Sequence, residues 1–205
     1  MMISRKTAAG IIGILLSIII GLAVFTAFID GGAEVPDNLQ DPIQINLAET
    51  KTIDYAVNNA KVKLDLLAEY KIEAVVKGVK QYKSDGPAGV SPMDFILTWG
   101  NLSQPEINKY IRYSQSNRWY HFTVSNTTKI PISEVSLHSA NTHIIPADEG
   151  VLKILSHVKK NDYVSMEGYL VKAYSGSAEV VSSLTREDSG AGACEVFYVS
   201  RIKIL

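Results

Sequence analysis

The sequence predicts an α+β fold, mostly antiparallel β, forming a small barrel-like or curled sheet with two or three short helices behind one N-terminal transmembrane helix. Three observations carry that prediction. The runs "KVKLDLL" (61–67) and "EYKIEAVVKGVKQY" (69–82) alternate apolar and polar residues, the period of a half-buried strand. The last third reads as one helix followed by three strands. The segment "TAAGIIGILLSIIIGLAVFTAFI", Thr7 to Ile29, contains no charged residue and is long enough to span a bilayer.

From the N-terminus, residues 1–6 form a cytoplasmic stub, because Arg5 and Lys6 precede the apolar segment and Asp30 follows it. Residues 7–29 form an uncleaved signal-anchor. Its apolar core exceeds that of a cleaved signal peptide, and the small-residue pattern Gly31-Gly32-Ala33 falls beyond Asp30. Gly13, Ser17 and Gly21 share one helix face, where a second copy could approach closely. "DGGAEVPDNLQDP" (30–42) reads as a tether, and 43–205 as an extracytoplasmic β-rich domain. The expected localisation is the bacterial cytoplasmic membrane, single-pass, with the domain outside.

Within the domain, Gly78 marks a bulge and "SDGPAG" (84–89) a turn. "SPMDFILTWG" (91–100) predicts a short helix, with Ser91 as cap, Pro92 at the first position and Asp94 in the first turn. Ser103-Gln104-Pro105-Glu106 repeats the device and predicts a helix through about Ser114. "RWYHFTV" (118–124) is a strand, and "HSANTHIIPADEG" (138–150) begins as a loop. "DEGVLKILSHVKK" (148–160) is a helix, with acids at its start and basic residues at its end. "DYVSMEGYLVKAY" and "EVVSSLT" pair around "SGSA", and "EVFYVSRIKIL" is the final strand.

The net charge of -1 over 205 residues offers no basic excess for nucleic acid. The single cysteine, Cys194, excludes an intrachain disulfide. It lies in "SSLTREDSGAGACEVFYV" (182–199). That stretch lacks the third glycine of a dinucleotide cradle and the lysine of a phosphate loop. No cofactor is expected. Glu187 and Asp188 read as an acid–base pair or as turn residues, with Gly190 taking positive φ. Cys194 reads as a nucleophile served by His138, His143 or His157, as a metal ligand, as an intermolecular disulfide partner, or as a small buried residue behind a Gly-rich turn. His138 and His143 are five apart, so they could share a zinc ion only from a loop. Arg186, His138, Asn141, His143 and Trp119 are the candidate binding residues; Trp119 belongs to an aromatic group around Arg112 and Arg118.

The blocks "SPMDFILTWG", "SQSNRWYHF", "HSANTHIIPA", "NDYVSMEGYLV" and "SSLTREDSGAGACEVFYV" resemble those of a widespread family of bacterial membrane-anchored envelope proteins. The likeness covers roughly Tyr70 to Val199, and Asn161 replaces a turn glycine of the pattern. That family has no assigned activity, so the resemblance implies an envelope location and carries over no catalytic residue. "DYVSMEGYLV" also resembles the barrel strands of an OB fold. The leading expectation is therefore a binding or scaffold module without catalysis, partnered by the membrane and an envelope protein. The alternative is a hydrolase using Cys194, or a metal at His138 and His143, with Glu187 or Asp188 as base.

Overall fold

The computed structural model describes residues 34–57, 60–175, 178–190 and 192–205. The apolar segment 7–29, with Gly13, Ser17 and Gly21, lies outside the described residues. Among the described residues no helix is long and apolar enough to cross a membrane.

Nine strands are described: β1 (Ile43–Val57), β2 (Ala60–Gln81), β3 (Met93–Thr98), β4 (Ile111–Ser116), β5 (Trp119–Val124), β6 (Ser139–Pro146), β7 (Tyr163–Ser175), β8 (Ala178–Val181) and β9 (Glu195–Ile204). Three short α-helices accompany them: α1 (Pro105–Asn108), α2 (Ile132–Leu137) and α3 (Glu149–Leu155). Seven strands form one sheet in the order β1-β2-β3-β6-β9-β7-β8, and β2 also pairs with β7. The strands β2, β3, β6, β9 and β7 therefore close into a ring of pairings. All are antiparallel except β6 with β9. The hairpin β4–β5 is a separate two-stranded sheet inserted between β3 and β6.

The two alternating runs after residue 60 are one strand, β2. Its register slips between Leu66 and Ala68 against β7, and between Val76 and Gly78 against β3. Such bulges coil a strand enough to serve neighbours on both edges of a barrel. The expected bulge at Gly78 is present. A Cβ there would lie 2.7 Å from Gln115 Oε1 and 2.8 Å from Ile96 Cδ1, so a larger residue would have to displace the ends of those two side chains.

The main core fills the ring with Tyr70, Ile72, Phe95, Leu97, Ile144 and Phe197, among others. Tyr70 meets Phe197 edge to face, with ring centroids 5.0 Å apart. Helix α3 follows β6 as expected, and Asp148 Oδ1 caps it by accepting from the Val151 N–H at 2.8 Å.

Four expectations require correction. The helix expected over 91–100 is β3, and each of its six residues is buried. A continuous apolar run covered on both faces suits a central strand as well as a helix. Ser91, read as a helix cap, lies just before β3. The helix expected from Ser103 to Ser114 is helical only at Pro105–Asn108, because Ile111 and Tyr113 belong to the period-two pattern of β4. The loop expected from His138 is β6, paired on both edges. The stretch read as a tether is docked from Val35 onward. Leu39 is buried in the core and bridges Gly100, and Asp41 accepts from the Trp99 indole N–H at 3.1 Å.

Candidate functional site

Strand alternation gives β3 and β6 two different faces. Phe95, Leu97, Ala140 and Ile144 join the core. Asp94, Asn141 and His143 occupy the alternate positions and form a polar cluster under the hairpin. Asp94 is the cross-strand partner of His143. The Asp94 carboxylate is fully buried and accepts from His143 Nδ1 at 2.9 Å and from Arg118 Nη1 at 2.9 Å.

Arg118 comes from the tip of the hairpin. Asn117 and Arg118 both take positive φ, 51° and 68°, as a two-residue hairpin turn requires. Glycine is the usual occupant of the second place, so an arginine there is held by its side chain. Nε and Nη2 donate to Asp85 at 2.8 Å each, Nη2 donates to the Ser91 carbonyl at 2.9 Å, and the guanidinium lies 3.6 Å from the Tyr82 ring centroid. Asn141 Nδ2 donates to the Arg118 carbonyl at 3.2 Å, and Gln115 Nε2 donates to Asn141 Oδ1 at 2.8 Å. Two cations thus face two carboxylates, and the buried charges are matched.

Cys194 ends the 182–194 strap and sits beside this cluster, with Asn141 Nδ2 3.8 Å from its sulfur. Burial alone would push the His143 imidazole down. The Asp94 carboxylate and the Cys194 side chain outweigh it and raise the pKa to about 9. His143 and Arg118 also line an apolar cavity of about 220 Å³ with Val90, Ile145 and Val196.

A second cavity of about 280 Å³ lies between the hairpin and the strap. Trp119, Tyr120 and Phe122 wall one side, and Arg186, Asp188 and Cys194 the other. Trp119 is exposed, while the Tyr120 hydroxyl donates to the Ser139 carbonyl at 3.3 Å. Arg186 pairs with the buried Glu195 and lies 5.9 Å from the Trp99 ring centroid. Thr142 Oγ1 donates to Glu195 Oε2 at 3.4 Å.

The structure therefore brings together Cys194, His143 and Asn141, and sets Trp119, Arg186 and Asp188 around one pocket. Asp188 is exposed and accepts from Ser183 Oγ at 2.6 Å, and Gly190 has a φ of 83°. Glu187 is exposed and is not among the pocket's lining residues; its N–H donates to Thr185 Oγ1 at 3.2 Å. His138 stands apart from the cluster, with Nδ1 3.4 Å from Glu134 Oε1 and Nε2 3.8 Å from Asp41 Oδ1. His138 ends α2, whereas His143 is the fifth residue of β6 and has its Nδ1 on Asp94. A metal shared by His138 and His143 is accordingly not a property of this fold, and among the described residues no three His, Cys, Asp or Glu side chains could hold a metal ion.

Sequence reasoning missed Asp94 as a site residue, because it also fits the first turn of a helix. The signal was a carboxylate inside the apolar run "MDFILT". It also missed Asp85, Gln115 and Glu195, whose partners come from distant segments. Comparisons with protein-family models, with curated proteins and with solved structures found no match to this chain.

Proposed function

We propose that the chain is a membrane-anchored binding module of the bacterial envelope, an OB-type barrel that takes a small ligand in the pocket between hairpin and strap. One observation carries the reading: where that pocket lies in the strand order. In an OB barrel the second and third strands, with the loops after the first and fourth, form the ligand face. On this reading β2, β3, β6, β7 and β9 are the five strands in chain order, with β6 and β9 parallel. Residues 82–92 and the strap are then the two flanking loops. The hairpin inserted between β3 and β6 narrows the open groove to a pocket of about 280 Å³, a size for a small molecule rather than a polymer. The exposed face of Trp119 and the charged Arg186 and Asp188 suit a ligand with one flat apolar side and polar edges.

The uncharged stretch from Thr7 to Ile29, with Arg5 and Lys6 before it, supports anchorage with the N-terminus inside and the barrel outside the cytoplasmic membrane. Gly13, Ser17 and Gly21 supply a face for self-association within the membrane.

The test uses the full chain, purified in detergent from bacterial envelopes and examined by native mass spectrometry. A bound small molecule retained by the wild type and lost from Trp119→Ala is the expected outcome. A ligand-free protein whose melting temperature is unmoved by envelope extract would refute the binding reading. A C-terminal alkaline phosphatase fusion that is inactive would refute the topology.

A further inference from the structure

We propose that Cys194 is a covalent nucleophile for acyl transfer, with His143 as its proton partner and Asp94 as a positioning residue, acting on a small ester or thioester admitted through the pocket between hairpin and strap. The inference shares that pocket with the binding reading but does not depend on which ligand the pocket retains.

Register assembles the three groups. Asn141 and His143 are alternate residues of β6, so they lie on one face of it. Asp94 pairs with His143 from β3. Cys194 immediately precedes β9, whose first residue, Glu195, is aligned with Thr142 of β6. The sulfur is thereby delivered beside Asn141 and His143. The Asp94 carboxylate holds His143 Nδ1 at 2.9 Å, which leaves Nε2 as the ring nitrogen for proton transfer. A nucleophile, a base and a third group orienting the base form the arrangement that covalent catalysis needs. Cys194 is half-buried and lines the pocket, so the sulfur is reachable.

A structural role accounts for only part of this cluster. Arg118, with Asp85, Asp94 and the Ser91 carbonyl, already pins the hairpin. His143 is a second partner of Asp94, and Arg118 holds the hairpin without it. Beside the sulfur, His143 stands where a cysteine nucleophile needs its proton partner. The titratable and charged groups that face the imidazole or stand behind it are Asp94 from β3, Cys194 from the strap, Arg118 from the hairpin tip and Asp85 beyond Arg118.

The chemistry closes without an added oxidant or reductant. The Cys194 sulfur attacks the carbonyl carbon, and the carbonyl oxygen takes up negative charge within reach of the Asn141 amide, 3.8 Å from the sulfur. The bond to the leaving group breaks, and His143 Nε2–H gives that group its proton. A thioester on Cys194 remains. Water attacks it as the neutral imidazole takes a proton, releasing the carboxylic acid and returning Cys194 and His143 to their starting state. The sum is ester plus water to acid plus alcohol.

The experiment exposes the full-length protein to p-nitrophenyl acetate and reads nitrophenol release together with intact mass. The expected result is a stoichiometric acetyl adduct on Cys194, absent from Cys194→Ser. Iodoacetamide alkylation against pH supplies a second readout, independent of turnover. At pH 6.5 the native thiol is expected to react at least about tenfold faster than in a folded His143→Gln variant, with Asp94→Asn between them. A Cys194 that meets both reagents only after denaturation would overturn the proposal, as would His143→Gln with an unchanged rate–pH curve. A Trp119→Ala protein that loses its retained ligand but still forms the adduct supports this site. Cys194→Ser protein that keeps the ligand shows that binding stands without the chemistry.

Discussion

The inner faces of β3 and β6 bury Phe95, Leu97 and Ile144 in the barrel, while the outer faces of the same strands bury Asp94 and Asn141 under the hairpin. Both sets are dry, but they are held by different physics. The inner set is stabilised by apolar area, which is non-directional and is lost gradually as atoms are removed. The outer set is stabilised only while each donor and acceptor keeps its partner, because an unpaired buried charge costs far more than its pair contributes. One face can therefore drift in sequence at modest cost, whereas the other is all or nothing. That condition suits groups held in place for a ligand or a reaction.

The largest effect should come from Asp94→Ala, which strands Arg118 and His143. Urea unfolding should show a loss of about 3–5 kcal/mol, as large as the about 3–5 kcal/mol of Phe95→Ala on the other face. A loss of less than about 1 kcal/mol would break the comparison, since exposed pairs contribute no more than that. The triple change Asp94→Leu, Arg118→Met, His143→Leu should recover much of the loss, because an apolar set needs no partners.

A smaller effect follows from pH. His143 has a folded-state pKa raised from 6.5 to about 9 by Asp94 and Cys194 against the opposing effect of burial. Its charge therefore adds stability that is whole below about pH 6.5 and fades as pH rises through about 9. Unfolding free energies measured across that window should fall more steeply for the wild type than for His143→Gln. Parallel curves would remove the imidazolium from the account. Next is the hairpin tip, where Arg118→Gly and Arg118→Ala both lose the clamp. With φ at 68°, glycine should be the more stable by about 1 kcal/mol, read from the two melting curves. The smallest effect, about 1 kcal/mol, is expected for Asp148→Ala at the α3 cap. It lies outside both faces and calibrates the others.

The sequence alone determined the elements whose local signals agree with one another. β7 and β9 are strands where "DYVSMEGYLVKAY" and "EVFYVSRIKIL" predict them, α3 carries its cap and its charge order, and the bulge at Gly78 lay where an interior glycine marks one. Its signals also singled out Cys194, Asn141 and His143, three members of the polar cluster, though without a geometry to join them. Tertiary structure decided the rest. "SPMDFILTWG" carries helix-start signals, yet edges offered by β2 and β6 make it a strand, because pairing and burial outweigh capping preferences of about 1 kcal/mol. "HSANTHIIP" looks like a polar loop because half of its residues face a polar cluster instead of solvent. Asp94 and Arg118 are 24 residues apart, and their contact depends on ring closure and on a hairpin folding back over it. Period and propensity are local quantities, whereas which carboxylate meets which cation is set by chain segments that only the closed barrel brings together.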